Sequence, residues 1–368
     1  MIYQFSILDM LPYFIMIVLL TVTMKRKGAI RKKALTCFLL MFVFSAIRYG
    51  IGYDYYGYMA ATQHQVAEYS IERFEPLSRL LIEIGYHTHY QVFFVLCAFL
   101  TIYPLYRACL KLSINPAYSL VVYFLFPMFY LESFSIVRNA IAYSFALYSF
   151  VLLTDKKLLR SLLMIAIAIM FHKSAAIAVL IYPLYFLRLN FKINLIVYVA
   201  SFFISQLVMR IVGNYADAIS LLADIEHYAD TARTGGGTMT YIVNAIAIFN
   251  FVIWKKLEGT NPINSKFLTL SCAGVFLWNV FLHIDSTIAL RLGTFFLIYI
   301  IFLVPQYKCV FKIRYRKLAS VCIYCFFLVL FMSSFYLCIS SYLKNHERMG
   351  NLPYQTVFFH TDYSNYIY

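Results

Sequence analysis

Apolar residues in this chain come in long runs, and the short segments between them hold most of the charge, so the alternation itself predicts structure. A helix needs roughly 20 apolar residues to cross a bilayer. On that measure helices are expected near 5–24, 33–49, 91–109, 117–131, 138–154, 158–171, 174–188, 193–212, 238–255, 267–284, 287–305 and 318–340. The implied fold class is all-α: a polytopic integral membrane protein of about 12 transmembrane helices, one transmembrane domain over residues 1–368. The first run, Ile7 to Met24, follows no basic segment and ends in Lys25-Arg26-Lys27 without a small-residue cleavage site, so it reads as a spanning helix and not as a signal peptide.

Two gaps are long, 50–90 and 213–237. In the first, Leu77, Leu80, Leu81 and Ile84 recur at i, i+3, i+4 and i+7 after Pro76, which predicts an amphipathic helix lying on the membrane. The second holds Asp217, Asp224, Glu226 and Asp230 and then Gly235-Gly236-Gly237, a stretch without side chains to pack and expected to be mobile. No internal repeat or soluble domain is visible.

Charge orders the runs. If 25–33 faces the cytoplasm, alternation puts 107–117, 155–160, 188–192, 255–266 and 308–317 on the same side, and together these segments carry 21 of the 31 Lys and Arg residues. Of the 16 acids only Asp155 and Glu258 fall there. Basic residues in short loops resist translocation. The net charge of +15 is therefore a topology signal and does not point to nucleic acid. Composition agrees, with 62% hydrophobic residues, 13% charged and a mean hydropathy of +0.75. The eight cysteines sit in or at the ends of apolar runs, and Cys322-Ile-Tyr-Cys325 has no further ligand at metal spacing, so they read as small apolar residues.

Four consecutive runs, 117–131 to 174–188, are short for a hydrocarbon core of about 30 Å. Their turns, Glu132 to Asn139 and His172-Lys173-Ser174, should lie below the outer surface, where ionised groups survive only beside water or protein partners. An outward-open polar cavity floored by helix ends is expected. Arg48 ends the second helix, Arg138 opens the fifth, and Arg291 follows His283-Ile284-Asp285 at the start of the eleventh. Guanidinium groups at one depth, with helix N-termini behind Arg138 and Arg291, suit a phosphate or diphosphate; the plainer alternative is that each snorkels or pairs with Asp54, Glu132 or Asp285. Acid or base candidates are His172, Asp54, Glu72, Glu75 and Asp285, with His172 foremost because imidazole titrates near neutral pH. It could equally bond a helix end. The tyrosines around Asp54 could stack on sugars or form an interfacial belt.

Four segments in order, Arg48-Tyr49-Gly50-Ile51-Gly52-Tyr53-Asp54-Tyr55 with Tyr58, Glu75-Pro76-Leu77, Ile136-Val137-Arg138-Asn139-Ala140-Ile141-Ala142 and Phe171-His172-Lys173-Ser174-Ala175, resemble the signature series of the EpsG-like O-antigen and exopolysaccharide polymerases, the Wzy group. The likeness covers residues 40–185. The resemblance implies an enzyme of the bacterial inner membrane, with both long loops periplasmic, that transfers a growing glycan from undecaprenyl diphosphate to the non-reducing end of a lipid-linked repeat unit. It implies Arg48, Arg138, Asn139, Lys173 and Arg291 at the diphosphate, and His172 taking the acceptor proton, with Asp54 or Glu75 as the rival base. The lipid-linked oligosaccharide, the bilayer and a chain-length regulator would be partners. No cofactor is expected, and no metal, since the outer loops lack an Asp-x-Asp signature. A flippase of lipid-linked sugar, or a glycosyltransferase using a polyprenyl-phosphate sugar, are the alternatives.

Overall fold

A chain in hydrocarbon must satisfy its own backbone polar groups, which makes apolar runs helical; the computed structural model, which describes residues 6–66, 71–187, 189–215, 237–345 and 350–360, is helical through most of that length. In chain order the helices are α1 (Leu11–Lys25), α2 (Ile30–Ala46), α3 (Tyr55–Thr62), α4 (Pro76–His87), α5 (Tyr90–Leu112), α6 (Pro116–Leu125), α7 (Val137–Thr154), α8 (Leu158–Phe171), α9 (Ile181–Phe186), α10 (Phe191–Tyr215), α11 (Gly237–Thr260), α12 (Asn264–Phe281), α13 (Ser286–Leu297), α14 (Ile300–Tyr307) and α15 (Arg316–Asn345). A 3-10 helix, Lys173–Leu180, precedes α9, and two short strands, β1 (Arg48–Tyr49) and β2 (Gln355–Thr356), complete the set.

Helix lies at each expected position, but the expected count of crossings is not reached. Among the described residues five helices are long and apolar enough to cross a membrane, or six if α13 and the helix after it, bent by 57°, count as one span. The segments from Pro116, Leu158 and Lys173 fall short. One reason is local: the helix expected over 117–131 ends at Leu125, because Pro127 offers no N–H and pushes Phe126 into an extended conformation (φ −87°, ψ 109°). Residues 216–236 of the expected second outer loop, including Gly235 and Gly236, lie outside the described residues.

The chain divides into two compact units, one of residues up to Ala175 together with those from Leu318 onward, the other Ala176–Lys317. In the first, α7 packs against α5 and α8, and α2 against α5 and α6. Helix α4 stands where the periodicity predicts, yet the face it buries is Ser78, Leu81, Ile82 and Gly85, while Leu80 is half exposed. Two small residues on that face let α4 press closely on α3, α5 and α8: a Cβ on Gly85 would lie 2.8 Å from Thr62 Cγ2, and the Ser78 hydroxyl donates to the Phe171 carbonyl at 2.8 Å. The segment Gly350–His360, where no element was expected, returns to this unit. Its β2 pairs antiparallel with β1, the Gly52 N–H donates to the Gly350 carbonyl at 2.6 Å, and His360 stacks on Tyr49.

In the second unit α12 packs against α10, α11 and α13. Amides replace charges as cross-links there: Asn244 and Asn279 exchange hydrogen bonds at 2.9 and 3.1 Å, and Asn264 and Gln306 do so at 2.7 and 2.6 Å. Buried amides serve because each satisfies the other without an ion to desolvate.

Candidate functional site

Some of the charges that the sequence singles out meet in the first unit, where Glu75 pairs with Arg138. As the second residue of α7, Arg138 places a cation at the positive end of a helix, an unfavourable position unless an anion faces it. Glu75 is that anion. It stands just before Pro76 at the start of α4, makes no cap bond to its own helix, and turns its carboxylate inward instead. Oε2 accepts from Arg138 Nη1 at 2.5 Å, and Oε1 accepts from the Lys173 backbone N–H at 2.9 Å. One carboxylate thus ties together the start of α4, the start of α7 and the turn after α8.

Tyr58 and Phe74 close over the same guanidinium. Arg138 Nε donates to the Tyr58 hydroxyl at 3.0 Å, and the Phe74 ring lies 4.5 Å from Cζ, within cation–π reach. Burial pushes the Tyr58 hydroxyl above its ordinary value, Arg138 draws it back and Asp54 raises it, so Tyr58 remains a neutral acceptor. The side chains of Arg138 and Glu75 keep 22% and 13% of their exposure, which leaves the pair largely desolvated.

His172 sits at the next turn, 7% exposed, in extended conformation (φ −156°, ψ 126°) between α8 and the 3-10 helix. The Ser174 N–H donates to His172 Nδ1 at 3.1 Å, the Ser174 hydroxyl lies 2.7 Å from the same nitrogen, and that hydroxyl is 3.2 Å from Asn139 Oδ1 on α7. The imidazole is therefore a cap, as His89 is for α5. Of the expected site residues, Glu75, Arg138 and the backbone of Lys173 form one hydrogen-bonded group, and Asn139 and His172 are joined through Ser174 in a second that adjoins it along the backbone, while Lys173 itself is exposed. Asp54 is exposed and stands one turn before Tyr58, at the start of α3. Tyr58, Phe74 and Ser174 join the cluster without a role having been assigned to them from sequence. Tyr58 and Ser174 lay inside the recognised segments, whereas nothing distinguished Phe74 beyond its place next to Glu75.

Arg48 departs from expectation. It is 1% exposed, between the rings of Phe94 and Phe134 at 5.1 and 4.8 Å, and its guanidinium donates to the Ser45 carbonyl at 2.8 Å, the Ser45 hydroxyl at 3.1 Å and the Ile51 carbonyl at 3.4 Å. Those bonds bind the end of α2 to the turn 48–52, a structural use of the cation that encloses it instead of offering it to a ligand. That turn in turn supports the site: Gly52 lies against the Phe134 carbonyl, and the Tyr53 N–H donates to the Ser135 hydroxyl, directly before α7.

Arg291 and Asp285 belong to the second unit. Asp285 caps α13, its Oδ1 accepting from the N–H groups of Thr287 and Ile288 at 2.7 and 3.0 Å. The helix begins at Ser286, so Arg291 stands more than a turn inside it and not at its N-terminus as expected. Among the described residues no group of three or more His, Cys, Asp or Glu side chains is arranged to hold a metal ion.

A family model described as the EpsG family matches residues 33–356. No curated protein and no solved structure matches the chain.

Proposed function

The chain belongs to the EpsG family, polysaccharide-polymerase-like multi-pass membrane proteins, and from that premise we propose that it is a polymerase of surface polysaccharide, acting at the periplasmic face of the bacterial inner membrane. It would transfer a growing glycan from undecaprenyl diphosphate to the non-reducing-end sugar of a lipid-linked repeat unit. The observation that carries the reading is the cluster itself: Tyr58, Arg138, Glu75 and the Lys173 N–H form one hydrogen-bonded group, Asn139, Ser174 and His172 a second, and the two adjoin along the backbone at 138–139 and 172–174 inside an apolar helical unit.

The chemistry asks for such a cluster. Breaking the anomeric C–O bond leaves charge on a diphosphate, which a preorganised cation stabilises as it develops. Arg138 is that cation. The acceptor hydroxyl must lose its proton to a base, for which Glu75 and His172 are the groups at hand. Arg48 serves indirectly, through the turn that supports the start of α7.

Surface-glycan banding tests the proposal. Cells with the gene deleted, or carrying Arg138→Ala at wild-type protein level, should display single repeat units and no ladder, a loss of extension of about 10²-fold or more. A surface without even single repeats would assign the protein to lipid-linked sugar transport, and a full ladder from Arg138→Ala would remove Arg138 from the reaction.

A further inference from the structure

Between α14 and α15 the ten residues 308–317 carry five cations, Lys308, Lys312, Arg314, Arg316 and Lys317, and no acid. Like charges this close repel one another unless an anion lies among them. Elsewhere the fold supplies one: Asp155 takes both Lys111 and Lys157, and Glu75 takes Arg138. At 308–317 it does not. Among the described residues every ion pair centres on Glu75, Glu83 or Asp155, and the first turn of α15 holds no acid. Lys308 is half-buried and the other four cations are exposed.

Apolar residues alternate with these charges. Phe311, Ile313 and Tyr315 flank Lys312 and Arg314, and Ile313 keeps 79% and Leu318 63% of its exposure, so the segment calls for an apolar cover as well as an anion. The bilayer edge offers both, because the candidate membrane span Ile313–Ser340 begins here. Long cationic side chains lay their stems along such a boundary and keep their heads among the phosphates. The segment is folded in two short 3-10 turns, Lys308–Val310 and Ile313–Tyr315; Arg316 Nε donates to the Phe311 carbonyl at 3.4 Å, and the Arg314 guanidinium rests 4.4 Å from the Tyr315 ring centre. We propose that residues 308–317 form a binding surface for the phosphate groups of anionic phospholipids, in the leaflet that the charge alternation expects to face the cytoplasm. A nucleic acid would neutralise the cations but leave Phe311 and Ile313 in water. The segment is also where the chain passes from the second unit back to the first, so lipid bound there fixes the depth at which α15 starts.

A tryptophan in the segment reads its lipid neighbours directly. Full-length Ile313→Trp protein is reconstituted in vesicles of phosphatidylcholine and phosphatidylglycerol, with bromine on the chains of one lipid or the other at equal molar fraction. The native Trp254 and Trp278 are 2% and 3% exposed, and the protein without the substitution supplies their constant background. Brominated phosphatidylglycerol should quench the new signal with a preference of at least about fivefold, what one well-placed cation supplies. The preference should fall toward unity when all five cations are changed to Gln, and likewise for Ile313→Trp alone in about 1 M salt, where charges are screened within about 3 Å. The salt series needs no further variant, so misfolding of the Gln protein would not shelter the proposal. Equal quenching by the two brominated lipids at low salt, or a preference that survives both salt and the Gln changes, would overturn the surface. Absence of quenching by either lipid would also overturn it, and a response to a short RNA in its place would identify a nucleic-acid partner.

Discussion

Two glycines five residues apart should respond in opposite directions to the same added methyl group. Gly52 has φ +102°, and a Cβ built on it would lie 2.1 Å from the Phe134 carbonyl oxygen and 2.5 Å from its carbon, both backbone atoms. The neighbour is not the tip of a flexible side chain, so the turn 48–54 or the segment leading into α7 must move. Holding a non-glycine residue in that backbone region costs about 1–3 kcal/mol, and relieving an overlap in a packed interior costs about as much again, so Gly52→Ala should lose roughly 2–6 kcal/mol. Gly57 lies within α3, where a Cβ would meet nothing within 4 Å. There Ala only removes the entropy cost of glycine in a helix, and Gly57→Ala should gain about 0.5–1 kcal/mol. Thermal unfolding of both purified proteins in one detergent measures the difference, with glycan laddering as the functional readout. Gly52→Ala should melt earlier and lose extension, since Arg138 starts the helix that the turn supports. Coincident melting of Gly52→Ala and wild type, or an equal fall for Gly57→Ala, would refute the close approach of the two turns.

Other consequences are as direct. Glu75→Gln leaves a largely buried guanidinium without its counter-charge and should cost about 3 kcal/mol; adding Arg138→Gln should cost less than the sum of the single changes, and strict additivity in detergent unfolding would show that the pair is not coupled. Tyr58→Phe removes the acceptor of Arg138 Nε, a bond to a charged group worth about 1.5–3 kcal/mol, and should lower extension while the protein still inserts, as read from banding at matched protein level. Ending the chain after Asn345 strips β2 and the Gly350 carbonyl from the Arg48 turn. That truncation should lower the melting temperature in the direction of Gly52→Ala, and an unchanged melt would show that the strand pairing contributes nothing.

Sequence alone determined that this is a helical membrane protein, where its helices lie, and that it belongs to the EpsG family, because apolar runs and ordered short motifs are local properties written residue by residue. Even Glu75, Arg138 and His172 were legible, as charges in gaps that have no surface to spread over. What only the tertiary structure decided depends on approach between distant segments. The face that α4 buries shares only Leu81 with the expected stripe and turns toward Ser78, Ile82 and Gly85, because the small residues fit their neighbours. The enclosure of Arg48 by Phe94 and Phe134 turned an expected ligand into a brace, and two residues near the C-terminus became a strand because β1 offered them an edge. The seating of His172 against the turn after α8 depends on a backbone N–H two residues on. A hydrogen bond has a direction and a reach that composition and spacing do not carry.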